Sequence, residues 1–92
     1  MQEETKKVLI DQLANNLVVI RAKLGITQAE LADIAGISRQ TVLALEKKQR
    51  QMTWNTFLSL LFIFSMNNES KDLIKMLDIM TDELMEYITI KH

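Results

Sequence analysis

The chain has only two glycines, Gly25 and Gly36, and the stretch between them reads ITQAELADIA. Thr27 is a good helix N-cap. Glu30, three residues on, completes a capping box, in which each side chain satisfies an orphaned backbone N–H of the other. Ile26 and Leu31 flank the cap where a hydrophobic staple would sit. Gly25 ends the helix before, and Gly36 ends this one, each where a left-handed residue closes a helix. Past Gly36, Ser38 caps a further helix. The predicted unit is two short helices joined through Gly36, Ile37 and Ser38. Ala32 and Ala35 keep its inner side slim, so another helix can approach closely.

The same punctuation fixes the fold class. Proline is absent, and strand-rich folds need more turn chemistry than two glycines supply. The expected fold is all-α. A first helix should run from about residue 6 to Lys23, with Leu9, Leu13, Leu17, Ile20 and Leu24 on one face. The helix capped by Ser38 should reach about Lys48, and KQRQM reads as a loop. Thr53 should cap a fourth helix, from Trp54 to about Ser65. NNES reads as a polar break before a fifth helix near Ser70, where Leu73, Leu77, Met80 and Leu84 are spaced by four, three and four. Thr81 in TDEL looks like a fresh helix start, which leaves open one long terminal helix or two short ones.

Several function classes fall away. The 92 residues suit one small domain, and 48% hydrophobic residues suffice for a core. Without cysteine there is neither disulfide nor thiol chemistry. No uncharged apolar run of about 18 residues exists, so no membrane span is expected. MQEETKKVLI carries acids and lacks a signal-peptide core, so the cytoplasm is the expected compartment. The only histidine is His92. There is no glycine-rich phosphate loop and no carboxylate pair in a plausible cleft, so neither catalysis, metal nor cofactor is expected.

Charge is unevenly placed. Residues 21–50 hold six basic and three acidic residues, and residues 51–92 hold three basic and six acidic. A basic middle beside an acidic tail suits a chain that meets phosphate with one part and something else with the other. Ordinary surface scatter is the plainer alternative.

LGITQAELADIAGISRQTVLALEKKQ, followed by a leucine-rich helix, resembles the Cro and phage-repressor type of helix-turn-helix protein (the XRE family). The resemblance runs from about Leu13 to Met66. It implies a five-helix, lambda-repressor-like domain over residues 13–68, with the helix-turn-helix at about 28–47. Residues 1–12 would extend helix one, and residues 69–92 would add a C-terminal helical segment for dimerisation or core cover. In that family the second helix of the pair lies in the major groove and dimers straddle two half-sites. By position, Gln28 resembles the family's phosphate-contacting glutamine, and Ser38, Arg39 and Gln40 fall on the first turn of the recognition helix, 39–48. Arg21 and Glu46 stand where family members bury an ion pair. The family's Gly-Lys-x-x-Pro-Ser loop is replaced by KKQRQMT.

At 100° per residue, Val42 and Leu45 lie on the inner face of that helix, and Gln40, Leu43, Ala44 and Lys47 on the outer. Arg39 then suits a bidentate contact with guanine, Gln40 with adenine, and Leu43 and Ala44 the methyl of thymine. Leu43 suits a protein contact equally well. Lys47, Lys48 and Arg50, with Gln28 and Ser38, suit phosphate, which positions a helix without specifying sequence. Lys6 and Lys7 read as plain surface. Helix four is apolar nearly all round and needs cover on more than one side. Phe62, Leu73, Leu77, Met80 and Leu84 would meet there, either from the chain's own tail or in a homodimer that also uses Val18 and Val19. The implied function is a sequence-specific regulator, a repressor binding a palindromic operator in double-stranded DNA. The alternative is a protein-interaction module on the same scaffold, an antitoxin or antirepressor-like subunit with a protein partner.

Overall fold

A computed structural model describes residues 1–91; His92 lies outside them. It has seven helical segments and no strand among the described residues. The first, α1, is Glu3–Leu24. It starts earlier than the apolar spacing indicates, because Glu3 and Glu4 in its first turn complement the positive helix end. Leu9, Ile10, Leu13, Leu17 and Ile20 are buried along one side, and Leu24 is half-buried.

Gly25 ends α1 at φ 68°, with its N–H on the Ala22 carbonyl and the Ile26 N–H on the Arg21 carbonyl. This is the Schellman arrangement. Then α2, Gln28–Ala35, begins with both halves of the capping box: Glu30 N–H donates to Thr27 Oγ1 at 3.1 Å, and Thr27 N–H to Glu30 Oε1 at 2.9 Å. Gly36 repeats the closure at φ 70°, and the Ile37 N–H meets the Ala32 carbonyl at 3.0 Å. Ser38 caps α3, Arg39–Glu46, by accepting the Thr41 N–H.

The end of α3 differs from the expected 39–48. Lys47 is its last half-helical residue, and Lys48 takes φ 58°. The Gln49 N–H then reaches the Ala44 carbonyl at 2.8 Å, and the Lys48 N–H the Leu45 carbonyl at 3.2 Å. The closure is the same as at the two glycines, but with a side chain in the left-handed position. Met52, 2% exposed, anchors the following loop in the core.

Thr53 caps α4, Trp54–Ser65, whose Phe57, Leu60, Leu61 and Phe64 are buried. The break expected at NNES is shorter than that stretch and falls at Met66 and Asn67. Asn68–Lys71 is a short α5, and Ser70 is fully buried, donating to the Phe64 carbonyl at 2.7 Å. After Asp72 come α6, Leu73–Met76, and then α7, Asp82–Ile88, capped by Thr81. Asp78 stands between them at φ 58°, with a fourth Schellman-type bond from the Ile79 N–H to the Ile74 carbonyl.

That interruption changes the tail's inner face. The spacing of Leu73, Leu77, Met80 and Leu84 assumed one continuous helix. With the chain turned at Asp78, the buried residues are Ile74, Ile79 and Leu84, while Leu73, Leu77 and Met80 are half-buried. One hydrophobic cluster runs from Leu9 through Leu31, Val42 and Phe57 to Leu84, so residues before 13 and after 68 share the core of the middle. Gln12 Nε2 donates to the Leu77 carbonyl at 2.8 Å, a further tie between α1 and the tail.

Candidate nucleic-acid interface

Val42 and Leu45, 1% and 2% exposed, hold α3 to the core. Its opening turn stands free: Ser38, Arg39 and Gln40 are exposed, and so are Lys47, Lys48 and Arg50 at the far end and beyond. Leu43 and Ala44 are half-buried rather than fully outside. Of the expected base-contacting set, the structure therefore leaves Arg39 and Gln40 fully open and gives Leu43 and Ala44 part of their surface.

Beneath this face lies a polar network. Arg21 Nε donates to Glu46 Oε2 at 2.7 Å and Nη2 to Oε1 at 3.1 Å, while Nη1 reaches the Ile26 carbonyl at 3.1 Å. Gln28 Nε2 donates to Glu46 Oε1 at 2.9 Å. The network ties the end of α1, the start of α2 and the end of α3. The Glu46 side chain is only 5% exposed. Burial pushes its pKa up, but the hydrogen bonds from Arg21 and Gln28 and the guanidinium charge outweigh it, so Glu46 stays below the usual carboxylate range. Glu46 in turn raises the pKa of Arg21, chiefly through their hydrogen bonds. Gln28 keeps one amide N–H and its carbonyl oxygen for other partners.

The cations of the outer face are arranged differently. Among the described residues, none of Arg39, Lys47, Lys48 and Arg50 forms an ion pair. Four positive groups and the Gln40 amide thus surround one short helix, and a polyanion is the natural complement.

Residues 19–53 match the family model described as Helix-turn-helix. Over these residues the chain is similar to helix-turn-helix proteins of the Cro and phage-repressor type. No curated protein and no solved structure matches the chain. The helix-turn-helix is α2 and α3, with Gly36–Ser38 between them, and the protein is a DNA-binding regulator of this type. In a helix-turn-helix protein the second helix enters the major groove with its N-terminal residues toward the bases. The open first turn of α3 is built for that approach.

Three contacts around the helix-turn-helix were not visible in the sequence. Arg50 Nη1 donates to Thr41 Oγ1 at 3.1 Å, bringing the loop back to the start of α3. Thr41 Oγ1 also pairs with Ser38 Oγ at 2.8 Å. Lys6, expected as plain surface, lies 5.1 Å from the Trp54 ring centre and 5.7 Å from that of Tyr87. Its half-buried side chain therefore bridges α4 and α7, with Glu3 3.8 Å from the ammonium, instead of joining the basic face. Only Thr41 had a usable signal, as a hydroxyl three residues after a serine cap.

Proposed function

We propose that the protein is a repressor of the phage or mobile-element type, binding a palindromic operator as a homodimer and excluding polymerase by occupancy. In this reading α3 lies in the major groove. Arg39 recognises guanine and Gln40 adenine, and the part-exposed Leu43 and Ala44 meet thymine methyls. Gln28, Ser38, Lys47, Lys48 and Arg50 contact phosphate. The observation that carries the reading is the contrast between arginines: Arg21 is locked onto Glu46, whereas Arg39 stands exposed and unpaired on the first turn of α3.

The homodimer rests on a second surface. Phe62 is 66% exposed and Met66, one turn on, 69%. Helices α1, α2 and α5 pack on other sides of α4 and leave this one open. Exposed apolar surface of this kind marks an interface. To serve a palindrome, a two-fold through this face has to hold two recognition helices about one DNA turn, roughly 34 Å, apart.

The same patch favours a second reading, in which α4 receives a different protein and DNA binding is secondary. A salt titration on random-sequence duplex separates the two. The regulator is expected to bind weakly, with affinity falling steeply as salt rises. Affinity that stays negligible even at low salt would select the interaction module.

A further inference from the structure

Arg50 stands outside α3, yet its side chain is not loose. Nη1 donates to Thr41 Oγ1 at 3.1 Å, nine residues back along the chain, on the third residue of α3. The route back is set by the left-handed turn at Lys48. Asp11 lines the same cleft as Arg50, but no ion pair forms between them among the described residues. The guanidinium is thus oriented by a neutral hydroxyl that leaves its charge uncompensated. It retains four further N–H donors.

The hydroxyl arithmetic points the same way. Ser38 Oγ accepts the Thr41 N–H, and the two hydroxyls share one hydrogen bond at 2.8 Å. Whichever hydroxyl donates within that pair, one proton of the two remains available. Ser38, Thr41 and Arg50 together therefore offer donors and a positive charge beside the first turn of α3, and no carboxylate is paired with them among the described residues.

We infer that Thr41 is a positioning residue for DNA binding: its hydroxyl holds the Arg50 guanidinium beside the start of α3, where the strand flanking the major groove presents its phosphates. The inference rests on the reading of Arg50 as a phosphate contact. Thr41 belongs to the recognition helix but acts through a loop arginine rather than through a base. It lowers the ordering cost that a long, flexible side chain otherwise meets on binding.

The test is a double-mutant cycle on the full chain, using affinity for a random-sequence duplex and its salt dependence. Arg50→Ala is expected to weaken binding and reduce the salt slope by about one. Thr41→Val keeps the branched shape and removes the hydroxyl. It should weaken binding roughly three- to tenfold, the penalty of ordering one long side chain. In the Arg50→Ala background Thr41→Val should have no further effect, whereas Thr41→Ser with Arg50 present should keep wild-type affinity. Equal loss from Thr41→Val in both backgrounds, or unchanged or tighter binding in the wild-type background, would overturn the positioning role while leaving Arg50 as a contact. An Arg50→Ala protein with unchanged affinity and slope would overturn the phosphate reading itself and the inference with it. Thermal unfolding of each variant separates these outcomes from a loss of fold.

Discussion

Residues 19–53 and residues 54–91 are similar in length and opposite in surface chemistry. The first stretch carries six basic and three acidic residues, the second three basic and six acidic. Large exposed apolar side chains in the first are Val19 and Ile34; in the second they are Phe62, Met66, Met76, Met85, Tyr87, Ile88 and Ile90. Yet both stretches supply the same core, from Leu31, Val42 and Leu45 on one side to Phe57, Phe64, Ile74 and Leu84 on the other. One folding unit therefore presents a face suited to a polyanion and a face suited to protein. Changes in the shared interior should disturb both faces, and changes at either surface should disturb one.

The largest effect should come from that interior. Leu84 is fully buried although it lies in the last helix. Leu84→Ala should lower unfolding stability by about 3 kcal/mol, measured by urea denaturation. A loss below about 1 kcal/mol would mean that the tail is an appendage and that the two stretches do not share a core.

Arg21→Ala strips the partner from a carboxylate that is almost wholly buried, at a cost of about 3 kcal/mol at neutral pH. The pH dependence has a definite sign. Glu46 titrates lower in the folded state than when unfolded, so its contribution is complete above the ordinary Glu pKa of about 4.3 and fades as pH falls through the lowered folded value. In the variant the Arg21 hydrogen bonds and charge are gone, and burial favours protonation of Glu46. The stability gap between wild type and Arg21→Ala should therefore narrow on acidification, as followed by denaturation at a series of pH values. A gap independent of pH would show that Arg21 acts through packing alone.

Phe62→Ser addresses the apolar face by itself. It should weaken dimer association by about 2 kcal/mol, seen by sedimentation, while changing monomer stability by less than about 0.5 kcal/mol. A protein that is monomeric before the substitution at concentrations saturating DNA would remove the homodimer from the account. The smallest effect concerns the tail turn. Asp78 occupies a left-handed conformation that favours glycine, so Asp78→Gly should raise unfolding stability by about 0.5–1 kcal/mol without altering DNA affinity.

The two stretches also differ in how much of them could be read from sequence. Around the helix-turn-helix the elements announce their own ends, with threonine or serine at the start and glycine at the stop. The boundaries at Thr27, Gly36, Ser38 and Thr53 follow from local hydrogen bonds that a linear pattern encodes. Lys48 and Asp78 use the same closure without glycine. Nothing local distinguishes them from helix-interior residues, so α3 reads two residues too long and the tail reads equally as one helix or two. Ser70 reads as polar surface because its partner, the Phe64 carbonyl, appears only when the end of α4 is in place. The sequence pattern suggested which residues face outward on α3 but not how far Leu43 and Ala44 sink, since that depends on neighbours from other elements. The hold of Thr41 on Arg50 and the place of Lys6 between two rings are likewise products of the fold.

Selection of bound sites from a random duplex pool, run in parallel with wild type and Arg39→Ala, tests directly whether α3 reads base sequence through its exposed first turn. Wild type is expected to enrich a two-fold symmetric motif. Arg39→Ala should lose preference at one position in each half-site, a discrimination of roughly 1–3 kcal/mol, while remaining folded and still binding duplex. No enriched motif from wild type, or the same motif at the same strength from Arg39→Ala, would contradict base reading by α3.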